Sequence, residues 1–122
     1  MATYTEPYRA SEIILSEAPG TLSRETVTIV SGTAAFSAGT VLGKITASGK
    51  YKPYDDDNVD GSEVAAAIAL EDIDASGSDT LCSTLFRLAE YKADILQWVG
   101  TNDAGDKTAG LADLVAKNLI GR

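Results

Sequence analysis

The clearest candidate for chemistry is an acidic segment that reads D-x-N-x-D-G from Asp56 to Gly61. This spacing matches the first six positions of an EF-hand calcium loop, where spaced oxygens surround the ion and the glycine permits a sharp turn. The twelfth position of such a loop carries a bidentate glutamate, but here it is Ala67. Glu63 comes too early to replace it, and no helix is expected on either side. We therefore interpret the segment as an acidic turn and expect no metal.

The other reactive groups are few. The chain has no histidine and only one cysteine, so zinc sites and a disulfide framework within the chain are excluded. Cys82 has leucine and phenylalanine neighbours, which favours a small buried hydrophobe over a reactive thiol. The pair Gly43-Lys44 resembles part of a phosphate-binding loop, but Ala38 and Ile45 replace two of its fixed residues. We expect no enzyme and no cofactor.

The charge distribution argues against a nucleic-acid partner. The chain has 18 acidic and 10 basic residues, a net charge of −8. No lysine or arginine lies between Pro53 and Phe86, so this stretch would repel a phosphate backbone. Solubility is the default role of its carboxylates. They are Asp55, Asp56, Asp57, Asp60, Glu63, Glu71, Asp72, Asp74 and Asp79.

Nothing in the sequence predicts a membrane partner. The first basic residue is Arg9, and the apolar triplet at residues 13–15 is far shorter than the core of a secretory signal. No apolar run approaches the ~20 residues that cross a bilayer. We expect a soluble protein that is made in the cytoplasm.

The chain divides into a loose arm, residues 1–21, and a compact domain, residues 22–122. The arm mixes Thr, Ser, Glu, Pro and Gly and sustains no helical or strand period, which predicts poor order in isolation. Its exception is the triplet Ile13-Ile14-Leu15. This triplet could pair with the sheet edge of another protein by strand addition, or it could pack back on its own domain. The sequence leaves both alternatives open.

The compact domain is predicted to be mainly β. Strands are expected at residues 26–30, 40–46 and 63–70, with loops rich in Asp and Gly between them. Gly43, inside a strand pattern, predicts a bulge or the close approach of another backbone. Pro53 predicts an edge or the end of a strand. A further strand is expected at residues 85–91.

The C-terminal part is predicted to contain the short helices. Residues 93–98 favour a helical turn or two, and residues 100–110 a loop. The spacing of Leu111, Leu114, Val115 and Leu119 is typical of one face of a short helix, with Gly121 at its C-cap. The fold class is therefore mainly β with short helices, α+β.

Few aromatic residues are available for contacts. Tyr51 and Tyr54, with lysines between them, could form a contact surface, or one could be a core residue and the other partly exposed. Trp98 is interpreted as an anchor in the core or at a subunit contact. Tyr51 and Trp98 are the candidate subunit-contact residues.

Several short segments follow one another in a characteristic order and spacing. They are residues 16–20 (SEAPG) and 23–25 (SRE), residues 38–45 (AGTVLGKI) and 49–51 (GKY), the acidic loop at Asp60-Gly61 before an alanine-rich strand, and more weakly the closing leucine-rich segment. In these segments the sequence resembles the head decoration proteins of tailed bacteriophages, the lambda-type capsid-stabilising family. The resemblance covers most of the chain and rests on order, size and spacing more than on any single motif.

This resemblance implies a β-clip-type subunit that forms homotrimers. In the family such trimers bind the major capsid protein on the outer surface of the expanded head, at local three-fold sites, and stabilise it against DNA pressure. The family's N-terminal arm is mobile when free and becomes ordered on the capsid. Carried over to this chain, the capsid-binding residues of the arm would be Ile13, Ile14, Leu15 and Leu22.

Two other classes of protein compete with this interpretation. Trimeric dUTP-hydrolysing enzymes share the β-clip architecture, but they need an aspartate in a Gly-x-Ile-Asp-x-x-Tyr setting, and Asp74 is not followed by that tyrosine. A glycan-binding or adhesive module of a phage particle would need clustered exposed aromatic residues. One tryptophan and two phenylalanines offer little for such a surface.

Overall fold

The computed structural model describes residues 10–99 and 103–122. Within these ranges the secondary structure is mostly strand, as the sequence predicts, and the mainly β fold with short helices is confirmed. In chain order, the elements are α1 (Ala10–Ile13), β1 (Ile14–Glu17), β2 (Arg24–Ile29), β3 (Thr33–Phe36), β4 (Val41–Lys44), β5 (Tyr51–Pro53), β6 (Ala65–Ala69), β7 (Ile73–Ala75), β8 (Thr80–Leu85), β9 (Ala89–Tyr91), a 3-10 turn (Ala93–Ile95), α2 (Ala104–Val115) and β10 (Leu119–Gly121).

Five strands close into a small barrel in the order β2-β5-β4-β6-β8, with β8 pairing back to β2. The antiparallel β2–β8 pair is the longest, running in register from Arg24 opposite Leu85 to Ile29 opposite Thr80. The barrel closes through a short parallel contact between Ile29 and Tyr51. Strands β3 and β7 form a separate two-stranded sheet.

The remaining strands, β1, β9 and β10, form a three-stranded sheet that we call the end sheet. β9 is its central strand, with β1 antiparallel on one side and β10 parallel on the other. Parallel neighbours need a crossover connection, and here the chain between β9 and β10 contains α2. The end sheet therefore brings residues near both ends of the chain onto one central strand.

Buried side chains form two clusters on either side of the barrel wall. β6 is buried at all five of its positions, and its alanines are small enough for packing on both faces. One cluster joins residues of the barrel strands to residues of the β3–β7 sheet, and it contains Val27, Ile29, Phe36, Leu42, Tyr51, Ala66, Ala67, Ala69, Ile73, Ala75 and Cys82. The outer cluster, under α2 and the end sheet, contains Ile13, Ala38, Val41, Tyr54, Ala65, Ile68, Leu70, Leu85, Ala89, Tyr91, Ile95, Leu96, Leu114 and Leu119.

Gly43 has the role that its place in a strand predicted. The register of β4 against β6 shifts between Leu42 and Gly43, which is a bulge. A Cβ at Gly43 would lie 2.4 Å from the backbone oxygen and 2.6 Å from the Cα of Ser62. The loop after β5 therefore crosses β4 at a point where only glycine fits.

Two further predictions within the domain are confirmed. Pro53 is the last residue of β5. Cys82 is fully buried inside the barrel, and this burial, with a smaller contribution from Glu71, raises the pKa of its thiol to about 12. The thiol is therefore protonated at neutral pH and behaves as a small apolar group.

The prediction for the C-terminal helix was wrong in its bounds. The helix begins at Ala104, inside the predicted loop, because Asp103 caps it: the Asp103 carboxylate accepts from Asp106 N at 2.9 Å, and Asp106 accepts in return from Asp103 N at 3.1 Å. It ends at Val115, which is 53% exposed, so Val115 does not lie on the buried face. Leu119 and Gly121 belong to β10, so Gly121 is not a helix cap.

The single strand predicted at residues 85–91 was also wrong. β8 ends at Leu85 and β9 starts at Ala89, in a different sheet. Between them Leu88 has a φ of +53°, which ends the extended conformation. The helical turn predicted at residues 93–98 is a 3-10 turn over Ala93–Ile95.

Candidate functional site

The predicted arm residues occupy different environments. Ile13 is fully buried in the outer cluster, and its carbonyl accepts from Lys92 N at 2.9 Å. Ile14 is partly buried against the same cluster. Leu15 and Leu22 are 52% and 54% exposed. Of the two alternatives for the triplet, packing on its own domain describes Ile13 and Ile14, while Leu15 faces outward.

The first half of the predicted arm lies outside the described residues, and the second half contacts the domain. β1 pairs with β9 through Ile14 opposite Tyr91 and Glu17 opposite Ala89. Because β1 is the last strand of the end sheet on its side, no strand among the described residues pairs with its outer edge. That edge and Leu15 are the parts of the arm that face away from the domain. Whether the arm binds a capsid stays a prediction.

Polar side chains hold the base of the arm. Glu90, on the central strand β9, accepts from Ser16 Oγ on β1 at 2.8 Å and from Arg122 Nε after β10 at 2.6 Å. These contacts, with that of Arg122 the larger, lower the pKa of Glu90. One carboxylate thus connects all three strands of the end sheet, and no spacing in the sequence indicated this role for Glu90.

A second carboxylate fixes the chain where it leaves β1. Glu17 accepts from Arg24 at 3.1 Å (Nε) and 2.8 Å (Nη2), and also from Ser23 Oγ. The two-pronged Arg24 contact is the larger cause of the lowered pKa of Glu17, and the Ser23 hydroxyl is the smaller one. The segments SEAPG and SRE, which carry part of the family resemblance, are therefore bonded to each other in space.

The two candidate subunit-contact residues pack within the chain itself. Tyr51 is 6% exposed inside the barrel, and its ring meets Phe86 edge to face with centroids 6.4 Å apart. Trp98 is partly buried against the outer cluster and meets Tyr54 at 5.9 Å. Gly110 of α2 allows this packing, since a Cβ there would lie 2.9 Å from the Trp98 ring. The predicted subunit contacts are untested and stay predictions.

Two grooved areas of the surface adjoin at Val99, on the same side as Trp98. One is a hollow of about 380 Å³ between the start of β3 and the end of β5. The other, of about 480 Å³, lies between the end of β3 and residues 97–99. Apart from Trp98 and Pro53, no pattern in the sequence singled out the residues that line these hollows. Their side chains become neighbours only when the β3–β7 sheet folds beside the barrel.

The acidic stretch is more than a solvated surface. Asp60 accepts from Ser62 N at 3.1 Å and Ser62 Oγ at 2.5 Å, and its other oxygen lies 2.8 Å from Lys52 Nζ. The Lys52 contact is the largest cause of the strongly lowered pKa of Asp60. Elsewhere carboxylates bind backbone N–H groups of other segments: Asp72 at Ala38, Asp79 at Ser31 and Glu71 at Ser83, each at 2.8 Å.

The described part of the chain holds neither a metal-binding cluster nor a membrane-spanning helix. Within residues 10–99 and 103–122, no cluster of three or more His, Cys, Asp or Glu side chains has a metal-binding arrangement. No helix in those ranges is both long and apolar enough to span a membrane.

Comparison with known proteins identifies the family. No individually curated protein matches the chain. The sequence model of one family, described as bacteriophage lambda head decoration protein D, matches residues 3–119, nearly the whole chain. This family is structural and decorates the phage head, so its members bind the capsid. The chain belongs to the bacteriophage lambda head decoration protein D family.

Proposed function

We propose that the protein forms homotrimers that bind the major capsid protein on the outer surface of the expanded phage head. The trimers would occupy local three-fold sites and stabilise the shell against the pressure of packaged DNA. The observation that carries this proposal is the family match over residues 3–119. Synthesis in the host cytoplasm, followed by a place on the outside of the virion, belongs to the same proposal.

The end sheet supports a capsid-binding role for the N-terminal segment. Ile13 anchors the segment in the core, and the Glu17–Arg24 contact fixes its other end. Between these two points β1 exposes Leu15 and an edge without a strand partner among the described residues. Strand addition at such an edge takes its affinity from main-chain hydrogen bonds, with exposed side chains adding selectivity.

A trimer would bind more tightly than one arm alone can. Each arm presents few apolar side chains, so a single arm would bind weakly. Three arms on one trimer act together, because the first contact raises the effective concentration of the other two at the capsid. The net charge of −8 suits a protein added outside the shell, where affinity for DNA phosphates serves no purpose.

The direct experiment combines solution mass with capsid binding. Light scattering should give three times the mass of the 12.7 kDa chain. Purified trimer should then co-sediment with expanded heads and stay in the supernatant with unexpanded heads. A monomer that sediments with neither form of head would contradict the proposal.

A truncation tests the arm separately. Deleting residues 1–9 keeps Ile13 and β1 in place, so the variant should stay a folded trimer but lose co-sedimentation with expanded heads. Deleting residues 1–21 is a poorer test, since it also removes Ile13 and Glu17 from the fold. If the shorter truncation still sediments with heads, these nine residues do not bind the capsid.

Point variants then locate the contact within the described residues. Leu15→Ser and Leu22→Ser change side chains that are about half exposed, so the fold should survive while capsid binding weakens. Leu81→Ser is the matched control, since Leu81 is 66% exposed on the barrel, away from the end sheet. Equal binding by all three variants would place the contact elsewhere.

A further inference from the structure

An apolar area of the surface with two cations surrounds Leu88. Leu88 and Val115 are 42% and 53% exposed. The partly buried ring of Phe86 contacts both cations, because its centroid lies 4.8 Å from Arg87 Cζ and 5.8 Å from Lys117 Nζ. The contact of Lys117 brings the end of α2 beside the connection between β8 and β9. We call these five residues the Leu88 patch.

The backbone of Leu88 is held in an unfavourable conformation. Its φ is +53°, which a leucine rarely adopts. Hydrogen bonds fix it there: the Leu88 carbonyl accepts from Ala18 N at 3.1 Å, and Ala89 N donates to Asn118 O at 3.1 Å. Backbone strain of this kind persists only where the surrounding structure imposes it, and it is concentrated at functional sites. A strained leucine that also faces solvent indicates a contact surface.

The loop between β5 and β6, residues 55–62, presents a second apolar side chain to solvent. Val59 is 95% exposed, more than any other large hydrophobic residue that the structure describes. Hydrogen bonds within this Val59 loop keep its shape, including one from Asn58 Nδ2 to Ser62 Oγ at 2.9 Å. A loop that is already ordered loses little conformational entropy when it binds a partner. Its exposed carboxylates are those of Asp56 and Asp57.

The Val59 loop and the Leu88 patch lie at opposite ends of α2. Tyr54, at the base of the loop, donates from its hydroxyl to Asp106 O at 2.9 Å, in the first turn of the helix. Val115, in the patch, is the last residue of the same helix. The 12 residues of α2 span about 18 Å. The loop therefore does not reach the patch of its own chain, and a contact between them needs a second copy.

The two surfaces are complementary in charge and in polarity. The loop has an apolar side chain beside carboxylates, and the patch has apolar side chains beside cations. Arg87 is paired with Glu25 at 3.2 Å, but Lys117 forms no ion pair within the described part of the chain. Opposite charges favour one docking orientation, while burial of apolar surface supplies affinity. Two acidic loops would instead repel each other.

We propose that the Val59 loop of one copy binds the Leu88 patch of the next copy. Val59 lies between Leu88 and Val115, and the carboxylates of the loop face Lys117. Because the two surfaces differ, the contact is head-to-tail, and such contacts form a closed ring when the rotation between copies closes. The inference rests on the homotrimer proposed above and assigns the contact that holds it together. Each loop and each patch is then used once.

Crosslinking tests the contact directly. Full-length chains that carry both Val59→Cys and Val115→Cys are treated with a bismaleimide much shorter than α2, and a denaturing gel should show covalent trimers. Each single variant should stay unlinked, since the native Cys82 is buried. Covalent dimers of Val59→Cys alone would place two loops against each other and overturn the proposal. Absence of covalent trimers from the double variant would also overturn it.

Sedimentation equilibrium measures the energy of the contact. Val59→Ser should raise the dissociation constant of the trimer about ten-fold or more, the change expected when the buried area of one valine side chain is lost. Leu81→Ser is the matched control, because Leu81 is 66% exposed on the barrel and belongs to neither surface. Equal dissociation constants for the two variants would contradict the proposal.

A charge reversal tests the role of Lys117. Lys117→Glu should weaken the trimer in the same assay, whereas Lys92→Glu, an exposed position just after β9, should not. The wild-type dissociation constant should rise with added salt, because salt screens exposed charges. Circular dichroism checks that both variants are folded. If they weaken the trimer equally, net charge explains the loss and the assigned contact is wrong.

The wild-type mass separates a failure of this inference from a failure of the proposed function. A wild-type chain that stays monomeric at every concentration would overturn the homotrimer and the contact together. A wild-type trimer that forms no crosslink and is unchanged by Val59→Ser and Lys117→Glu would overturn the contact alone. The homotrimer and its capsid binding would then stand on other surfaces.

Discussion

The barrel and the end sheet are stabilised in different ways. The barrel closes on itself, and the close approach of Gly43 to the backbone of Ser62 leaves no room for a methyl group. The end sheet has only three strands and two outer edges, and Glu90 joins its strands through exposed hydrogen bonds. A closed barrel hides its edges, whereas an open sheet offers them to a partner. Under the capsid-binding proposal, the barrel would supply stability and the end sheet the contact surface.

The largest expected effect is a loss of stability in the barrel. Gly43→Ala should lower the free energy of unfolding by about 4 kcal/mol or more, because the overlap is with backbone atoms and a change of rotamer cannot relieve it. Urea denaturation measures the loss. Gly77→Ala is the control: an added Cβ there meets no atom within 4 Å, and stability should change by less than about 0.5 kcal/mol. Similar values for both variants would show that the crossing of Ser62 over β4 is looser than described.

The next effect concerns the end sheet. Ile13→Ala should cost about 3 kcal/mol, the usual loss for an isoleucine that is fully buried. Leu15→Ala, two residues later and half exposed, should cost less than about 0.5 kcal/mol in the same urea assay. This contrast would divide one short segment into a residue that anchors the fold and a residue that the fold leaves exposed. If both variants lose little stability, residues 10–17 do not belong to the unit that unfolds cooperatively in urea.

A smaller effect concerns the helix that connects the two regions, since α2 packs on β6 of the barrel and on β10 of the end sheet. Asp103→Ala removes its N-cap and should cost about 1 kcal/mol. Lys107→Ala, exposed on the same helix, is the matched control and should be close to neutral. Thermal unfolding followed by circular dichroism compares the two. If Asp103→Ala causes no loss of stability, packing on the barrel alone holds the start of α2.

Sequence patterns predicted the barrel better than the end sheet, for a physical reason. Alternating β-branched residues and a glycine within a strand are local signals, and they located β2, β4 and β6 correctly. The sequence also contains a helix N-cap signal, Asp103 with Asp106 three residues later, which the predicted loop at residues 100–110 does not take into account. β10 is only three residues long and forms through its parallel neighbour, so no local period marks it. No sequence pattern predicts the positive φ of Leu88 either, because leucine rarely adopts this conformation.

The candidate site was predictable only in part. The sequence located an apolar triplet in the N-terminal segment, but three apolar residues fit both a foreign edge and the chain's own core. The structure places Ile13, the last residue of α1, in the core and leaves Leu15 exposed at an irregularity of β1, where the register against β9 shifts between Ile14 and Ser16. The Glu90 network and the two hollows that adjoin at Val99 join residues from distant parts of the chain, so they depend on tertiary structure that no spacing encodes.

The smallest expected effect concerns pH and the base of the arm. The contacts from Arg24 and Ser23 lower the pKa of Glu17 in the folded chain below its ordinary value of 4.5. The folded state therefore binds a proton at Glu17 less readily than the unfolded state does. The stability from this carboxylate is fully present above pH 4.5 and is lost as the pH falls through the lower, folded pKa.

Urea denaturation between pH 3 and pH 6 tests this contribution, which should be less than about 1 kcal/mol for a partly exposed pair. Glu17→Gln and Arg24→Gln should each flatten the loss of stability below pH 4.5, and combining them should flatten it no further, because both remove the same contact. If the loss of unfolding free energy in the double variant equals the sum of the losses in the two single variants, the two residues act separately. The end sheet would then be held at this corner by other contacts, and its contrast with the barrel would rest on Glu90 alone.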